Sequence, residues 1–424
     1  MPKQTKSKLD TEQIVLDLVM QLTQCLQSIE KISFNEIFKL FYECDYPALK
    51  EERKLVQEII DILRRSNSQI SPRQIFNFLI NDVVGIVIVN PEKSITNQEL
   101  SELAGEKIRL LLRYSSIREI DIPIMFLRVE DTPVKIGLVT FYSISEEEKN
   151  SEWWQKVKLN YSGNPDLDVL SFGRIVAPGD WELSLDYAEN KLRETLLIIR
   201  AIGLPFTNNP KNQFGMLNEF SASNNKPFLL HKPNETTRID GTSEVVTRLG
   251  PLIGVYGLKT DLFKSVDENI LLLLNQLLTI DNRSLLTDMQ VKYISGLIWL
   301  GESTKPDKLT FRYLKLSTAL EHFIGGESGN EYLSTRGVTA TLAERAAFLL
   351  GIDPAHRHSI DHKVKHFYGL RSKIVHGNRD VIDETDFSDF GNLVRQIAFA
   401  LSGNLISFNT VDTLQEWILR MRYS

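Results

Sequence analysis

The sequence predicts an α+β fold, with a mixed N-terminal α/β region followed by an all-α C-terminal helical bundle. Three observations carry this expectation. Apolar residues recur at helical spacing over residues 10 to 80; the period then shortens through several β-branched runs between residues 83 and 176; and helical spacing returns near Asp261 and holds to the end. These changes divide the chain into an N-terminal α+β domain at 1–205, an irregular connector with a docking helix at 206–283, and a helical domain at 284–424.

In the first region Ile14, Leu18 and Leu22, then Phe34, Ile37 and Phe41, then Leu55, Ile59, Ile60 and Leu63 each define a helical face. Pro47 and the Ser71-Pro72 pair suit helix starts, where proline is tolerated in the first turn. Val83-Val-Gly-Ile-Val-Ile-Val89, bounded by Asp82 and Asn90-Pro91, reads as a buried strand. A helix is expected from about Asn97 to Tyr114. Glu119 to Val129 and Val134 to Tyr142 are expected to form a hairpin or neighbouring strands around Glu130-Asp-Thr-Pro133. Trp153 and Trp154 lie on a polar helix and read as packing residues, with stacking on RNA bases the weaker alternative. Leu167 to Val176 is a further strand, and Pro178-Gly179 leads into a long helix that stops at Gly203-Leu-Pro205.

The segment from Phe206 to Pro251 is rich in Asn, Pro, Ser, Thr and Gly, as expected for an irregular or β-containing connector. Helices are then expected near 261–279, 284–302, 308–324, 339–350, 359–376, 385–407 and 411–421, separated by Gly, Pro or Asp breaks.

The chain has 424 residues, of which 42% are hydrophobic and 25% charged, so it can fill more than one core. A formal net charge of -6 argues against a protein that coats nucleic acid non-specifically, because such binding rests on many phosphate contacts. The basic residues are concentrated instead. Between His356 and Arg379 lie Arg357, Lys363, Lys365, Arg371, Lys373 and Arg379 against only Asp361, and six of the seven histidines follow residue 320. Two cysteines, Cys25 and Cys44, supply neither a disulfide framework nor a zinc-ligand spacing. No apolar run approaches a membrane span and no signal-type segment follows Met1, so a cytoplasmic location without membrane association is expected.

Within the basic stretch, Ser359 is a suitable N-cap and Gly377 a suitable C′ residue, marking a helix over Ile360–His376. Ile360, Val364, Phe367 and Ile374 form its apolar stripe. Arg371 falls in the middle of that stripe and therefore needs a carboxylate, for which Glu321 and Glu344 are the best candidates. His376 lies about 140° further round the helix. An imidazole moves protons near neutrality, and a guanidinium offers a planar fork matched to phosphate oxygens. Such a pair suits RNA cleavage: His376 would move a proton at the ribose 2′-OH or the leaving 5′-oxygen, and Arg371 would neutralise charge on the phosphorane, with no metal or cofactor required. The structural alternative is a capping histidine beside an arginine paired with a core carboxylate. His358, His362 and His366 repeat at four-residue intervals, a spacing seen in metal sites, but they lack the Glu of an H-E-x-x-H motif, and the basic-face reading is preferred.

The phrase Leu370-Arg-Ser-Lys-Ile-Val-His-Gly377 resembles the R-x4-6-H motif of the HEPN superfamily. Gly296-Leu-Ile-Trp-Leu-Gly301, Phe311 to Phe323 with Ala319-Leu-Glu-His322, and Leu342-Ala-Glu-Arg-Ala-Ala-Phe-Leu-Leu-Gly351 resemble its Apea-like branch. Ser171-Phe-Gly-Arg174 near Pro178-Gly-Asp180 is also similar to that branch. The resemblance is clearest over the last third of the chain and implies an Apea-like HEPN helical domain at 284–424. It further implies a homodimeric, metal-independent endoribonuclease acting in phage defence or stress-triggered RNA cleavage, in the manner of a toxin. Arg371 and His376 would be catalytic; Ser372, Glu321 and Glu344 supporting; Lys363, Lys365, His366, Lys373 and Arg379 RNA-binding. The N-terminal region would receive an activating partner or ligand. Ser372 stands where many members carry Asn, Asp or His, so a catalytically inactive RNA- or protein-binding module is the alternative. No tyrosine follows His376 at the position that a partner nucleotidyltransferase modifies in another HEPN arrangement.

Overall fold

The computed structural model describes residues 3–27, 50–79, 96–113, 117–129, 132–152, 154–155, 171–206, 214–216, 229–232, 235–239, 256–258, 268–326, 337–377 and 382–423. The expected strand at Val83–Val89, together with Phe34, Phe41, Pro47 and Arg379, lies outside them. The described chain is a mixed α and β protein, predominantly helical, and it divides into two compact units. One comprises Met1–Glu119, Val176–Tyr187 and Lys232–Asn234; the other comprises Ile120–Ile175, Ala188–His231 and Glu235–Ser424.

In the first unit, the helices Lys3–Gln27, Lys50–Ser66 and Asn97–Arg113 pack through one apolar face each. Val15, Val19 and Leu22 meet Val56, Ile59, Leu63, Leu100, Ala104 and Ile108, all buried. Of the expected row Ile14, Leu18 and Leu22, Leu22 is fully buried, whereas Ile14 is half exposed and Val15 and Val19 take the other two places in the core. Asp180 then ties two turns together. Its carboxylate accepts from the Ser71 backbone N–H at 2.6 Å and from Glu182 and Leu183 at 3.1 and 3.0 Å, capping the Trp181–Gly203 helix. Gly179 sits at φ 109°, a conformation open mainly to glycine, so the Pro178-Gly-Asp180 phrase is a strand-to-helix corner.

The second unit carries the sheet. Its strand order is β3-β4-β5-β1-β7-β8, from Val134–Ile136 (β3), Val139–Ser143 (β4), Ser171–Pro178 (β5), Ile117–Met125 (β1), Leu229–Lys232 (β7) and Glu235–Ile239 (β8), with Gly215–Met216 (β6) also pairing β1. Leu127–Val129 (β2) runs parallel to Tyr256–Leu258 (β9) in a separate pair. The hairpin is β3-β4, closed at Gly137, and β5 separates β4 from β1, so the two expected neighbours are not adjacent. Among the described residues, β6, β7 and β8 come from the stretch expected as an irregular or β-containing connector, and β9 follows it.

The Ser171-Phe-Gly-Arg174 phrase has a structural role. Arg174 clamps the fully buried Asp121 carboxylate through two N–H groups at 2.8 and 3.0 Å, and a Cβ at Gly173 would meet Leu192 at 2.5 Å. Trp154 is fully buried against Phe172, ring centroids 5.9 Å apart, and so offers no face for stacking a base.

After a helix at Glu268–Thr279, the chain forms the helices Asp288–Glu302, Leu309–Ile324, Val338–Leu350, Pro354–Val375, Glu384–Ser402 and Val411–Tyr423. The first two pair, as do the third and fourth, and Glu384–Ser402 packs against the first three and against Glu268–Thr279. An aromatic cluster fills the junction: Tyr313 lies 4.9 Å and Phe367 5.0 Å from Phe390, centroid to centroid. Burying each such ring contributes about 1.5–3 kcal/mol. Both glycines of Gly296-Leu-Ile-Trp-Leu-Gly301 are close-approach positions, since a Cβ there would meet the Phe323 ring at 2.5 Å or the Leu197 carbonyl at 2.0 Å.

Candidate functional site

The helix Pro354–Val375 presents the basic stretch. It begins earlier than Ser359: Asp353 is the N-cap, its carboxylate accepting the His356 N–H at 2.7 Å, and Pro354 occupies the first helical turn. A carboxylate followed directly by proline outcompetes a serine six residues later, because it satisfies an orphan N–H where the ring also pre-sets φ. At the other end His376 is the C-cap residue, its N–H donating to the Ser372 carbonyl at 3.1 Å, and Gly377 adopts φ 96°. A left-handed residue here lets the chain leave the helix without a Cβ penalty.

Ile360, Val364, Phe367, Tyr368, Leu370 and Ile374 are the buried face. Arg371 lies within that face by angle, yet its side chain is 34% exposed rather than buried. A long arginine stem lets the head group leave an apolar face for its edge. There it stands 3.6 Å from Glu321 Oε1 and 5.3 Å from the Tyr368 ring centroid. Glu321 also accepts from the Tyr368 hydroxyl at 2.5 Å. Burial, together with that carboxylate, pushes the Tyr368 hydroxyl up to about 12, so it remains a proton donor at neutral pH.

The carboxylate is itself held by the neighbouring helix. Leu309–Ile324 ends at Gly325, and buried Arg345 donates to the Ile324 and Gly326 carbonyls at 2.7 and 3.1 Å and to Gln415 Oε1 at 3.0 Å. Burial lowers the Arg345 guanidinium to about 10, which still leaves it a cation at neutral pH. Tyr313 fixes the other partner: its hydroxyl donates to the Phe367 carbonyl at 2.9 Å, the same carbonyl that a regular helix offers to the Arg371 N–H. Neighbouring His322 is held below its usual value by burial, with Lys292 reinforcing the shift and Glu321 opposing it.

Of the predicted site residues, Arg371 and Glu321 come together. Glu344 does not join them; it pairs with Arg422 on the Val411–Tyr423 helix, because its own helix turns that face towards the C-terminal segment. His376 is exposed at the helix end, and Ser372 is exposed one turn before it. Lys363 and Lys373 are exposed, Lys365 pairs with Asp361 at 2.7 Å, and His366 Nε2 lies 3.2 Å from Asp386. Tyr368, Tyr313, His322 and Arg345 were not singled out from the sequence. An arginine amid Leu342, Ala343, Ala346 and Ala347 is the pattern that marks Arg345 as buried and bonded, but nothing local marks the tyrosines.

The arrangement is a partly exposed guanidinium held loosely by one carboxylate and beside an aromatic ring, with an exposed imidazole at the end of the same helix. Comparison of the chain with protein-family models, curated proteins and solved structures gives no match. No helix among the described residues is long and apolar enough to cross a membrane.

Proposed function

We propose that the chain is a metal-independent endoribonuclease of the HEPN type, acting as a homodimer in phage defence or stress-triggered RNA cleavage. The observation that supports this reading most is the state of Arg371. A purely structural arginine in an apolar stripe would be buried and closely paired, whereas this one is a third exposed and 3.6 Å from its carboxylate, leaving N–H donors for phosphate oxygens. His376, exposed at the end of the same helix, would take the 2′-OH proton as the 2′-oxygen attacks the adjacent phosphorus to give a 2′,3′-cyclic phosphate, and the P–O5′ bond would break with water supplying the proton to the leaving 5′-oxygen. Arg371 would neutralise the added charge on the phosphorane. Tyr368 and Glu321 would position Arg371, and Lys363 and Lys373 would hold the flanking backbone.

A second reading, a non-catalytic RNA- or protein-binding module, is favoured by one geometric fact. Residues 371 and 376 leave a helix about 140° apart, so a single copy does not aim both side chains at one phosphate. A second copy of the helix would supply the missing half. Incubation of the purified protein with RNA in excess chelator distinguishes the two: cleavage that disappears in His376→Ala supports the nuclease, and RNA binding without cleavage supports the module.

A further inference from the structure

We propose that His358 and His362 form a two-pronged chelating site for a divalent first-row transition metal ion, copper(II) foremost, apart from Arg371 and His376. The two residues are one helical turn apart and both exposed on the Pro354–Val375 helix. Their Nε2 atoms converge to 3.0 Å, with the rings edge to face at 4.3 Å between centroids and 84° between planes. Two imidazole nitrogens brought together in this way define a common point that a metal ion can take.

The spacing selects the ion. For metal–imidazole bonds of about 2.0–2.1 Å, nitrogens 3.0 Å apart subtend roughly 90–97° at the metal. That is the cis angle of a tetragonal ion, copper(II) or nickel(II), and it is narrower than the tetrahedral angle zinc prefers. Copper(II) also stands highest in the affinity order for nitrogen ligands. His366, the next histidine of the row, is turned to Asp386, and among the described residues no group of three or more His, Cys, Asp and Glu side chains is arranged around one point. The remaining coordination positions therefore belong to water. His362 lies nine residues before Arg371, about 13 Å along the helix, so metal binding here and chemistry at Arg371 are separable.

The test is titration of the full chain with glycine-buffered copper(II), followed by electron paramagnetic resonance, for wild type, His358→Gln, His362→Gln, the double variant and His366→Gln. All three positions are exposed, and circular dichroism checks that each variant keeps its helix content. Wild type should bind one equivalent with hyperfine structure from two imidazole nitrogens. Each single change at 358 or 362 should lower affinity at least ~tenfold, and His366→Gln should leave it unchanged. Unaltered affinity in the double variant overturns the assignment, and an equal loss in His366→Gln overturns the two-pronged site in favour of the whole row.

Discussion

Arg371 and His376 are expected to differ in what their loss does. Truncating His376, an exposed cap residue whose backbone makes the capping bond, should leave stability and RNA affinity nearly intact while lowering cleavage by about 10²–10⁴-fold. Replacing Arg371 by Ala should weaken both RNA binding and cleavage, but its cost in stability should be below about 1 kcal/mol, because a partly exposed pair at 3.6 Å is screened by solvent. Denaturant titration beside a cleavage assay reads both. A loss of several kcal/mol in Arg371→Ala would show a buried structural ion pair instead. His322 gives a pH prediction. Its folded pKa is lowered by burial, so the unfolded chain binds the proton more readily and stability rises with pH. The contribution is fully present above about pH 6.5, the unfolded value, and is lost as pH falls through the folded one. His322→Gln should flatten the acid limb of the stability profile; an unchanged slope would place the sensitivity elsewhere.

At the scale of elements, two glycines in helices should respond to alanine in opposite directions. In Asp288–Glu302, a Cβ on Gly301 would lie 2.0 Å from the Leu197 carbonyl, so Gly301→Ala must move one helix off another and should cost about 1–3 kcal/mol or more. Nothing lies within 4 Å of a Cβ on Gly369, in the exposed face of Pro354–Val375, so Gly369→Ala should stabilise by about 0.5–1 kcal/mol through unfolded-state entropy alone. Chemical denaturation checks the pair. The same contrast explains how legible the elements were. The helices between 288 and 423 have caps and breaks written into adjacent residues, such as Thr287 with Gln290 and Asp383 with Asp386. The strand neighbours were not legible, because β5 enters between β1 and β4 through contacts separated by tens of residues.

For the whole molecule, the proposed site makes its strongest demand on assembly. Light scattering of the purified protein should report a dimer, since one copy holds Arg371 and His376 on diverging faces of its helix. A strictly monomeric protein that still cleaves RNA would require the last turn to deform so that one chain completes the site. Cleavage should also persist in excess chelator, even though copper(II) is expected at His358 and His362, because that point lies over two helical turns from Arg371. Activity lost with chelator and restored by added metal would move the chemistry to the histidine row.

The sequence by itself determined the alternation of classes, the helical run to the C-terminus and the concentration of positive charge around residue 371, and it offered Glu321 and Glu344 as carboxylates for Arg371. The first three follow from periodicity, capping chemistry and composition, which are local properties; the burial of Arg371 that the carboxylate was to offset is not met, since its side chain is 34% exposed. Only the tertiary structure decided which carboxylate stands beside it. Glu321 and Glu344 are equivalent as letters, and helix packing sends one to Arg371 and the other to Arg422. It also decided that Arg371 reaches the surface, that Tyr368 and Tyr313 fix its surroundings, and that His358 meets His362 while His366 turns to Asp386. Those outcomes depend on distances between side chains carried by different helices, or on rotamers chosen by such neighbours, and neither is encoded in the spacing of residues along one helix.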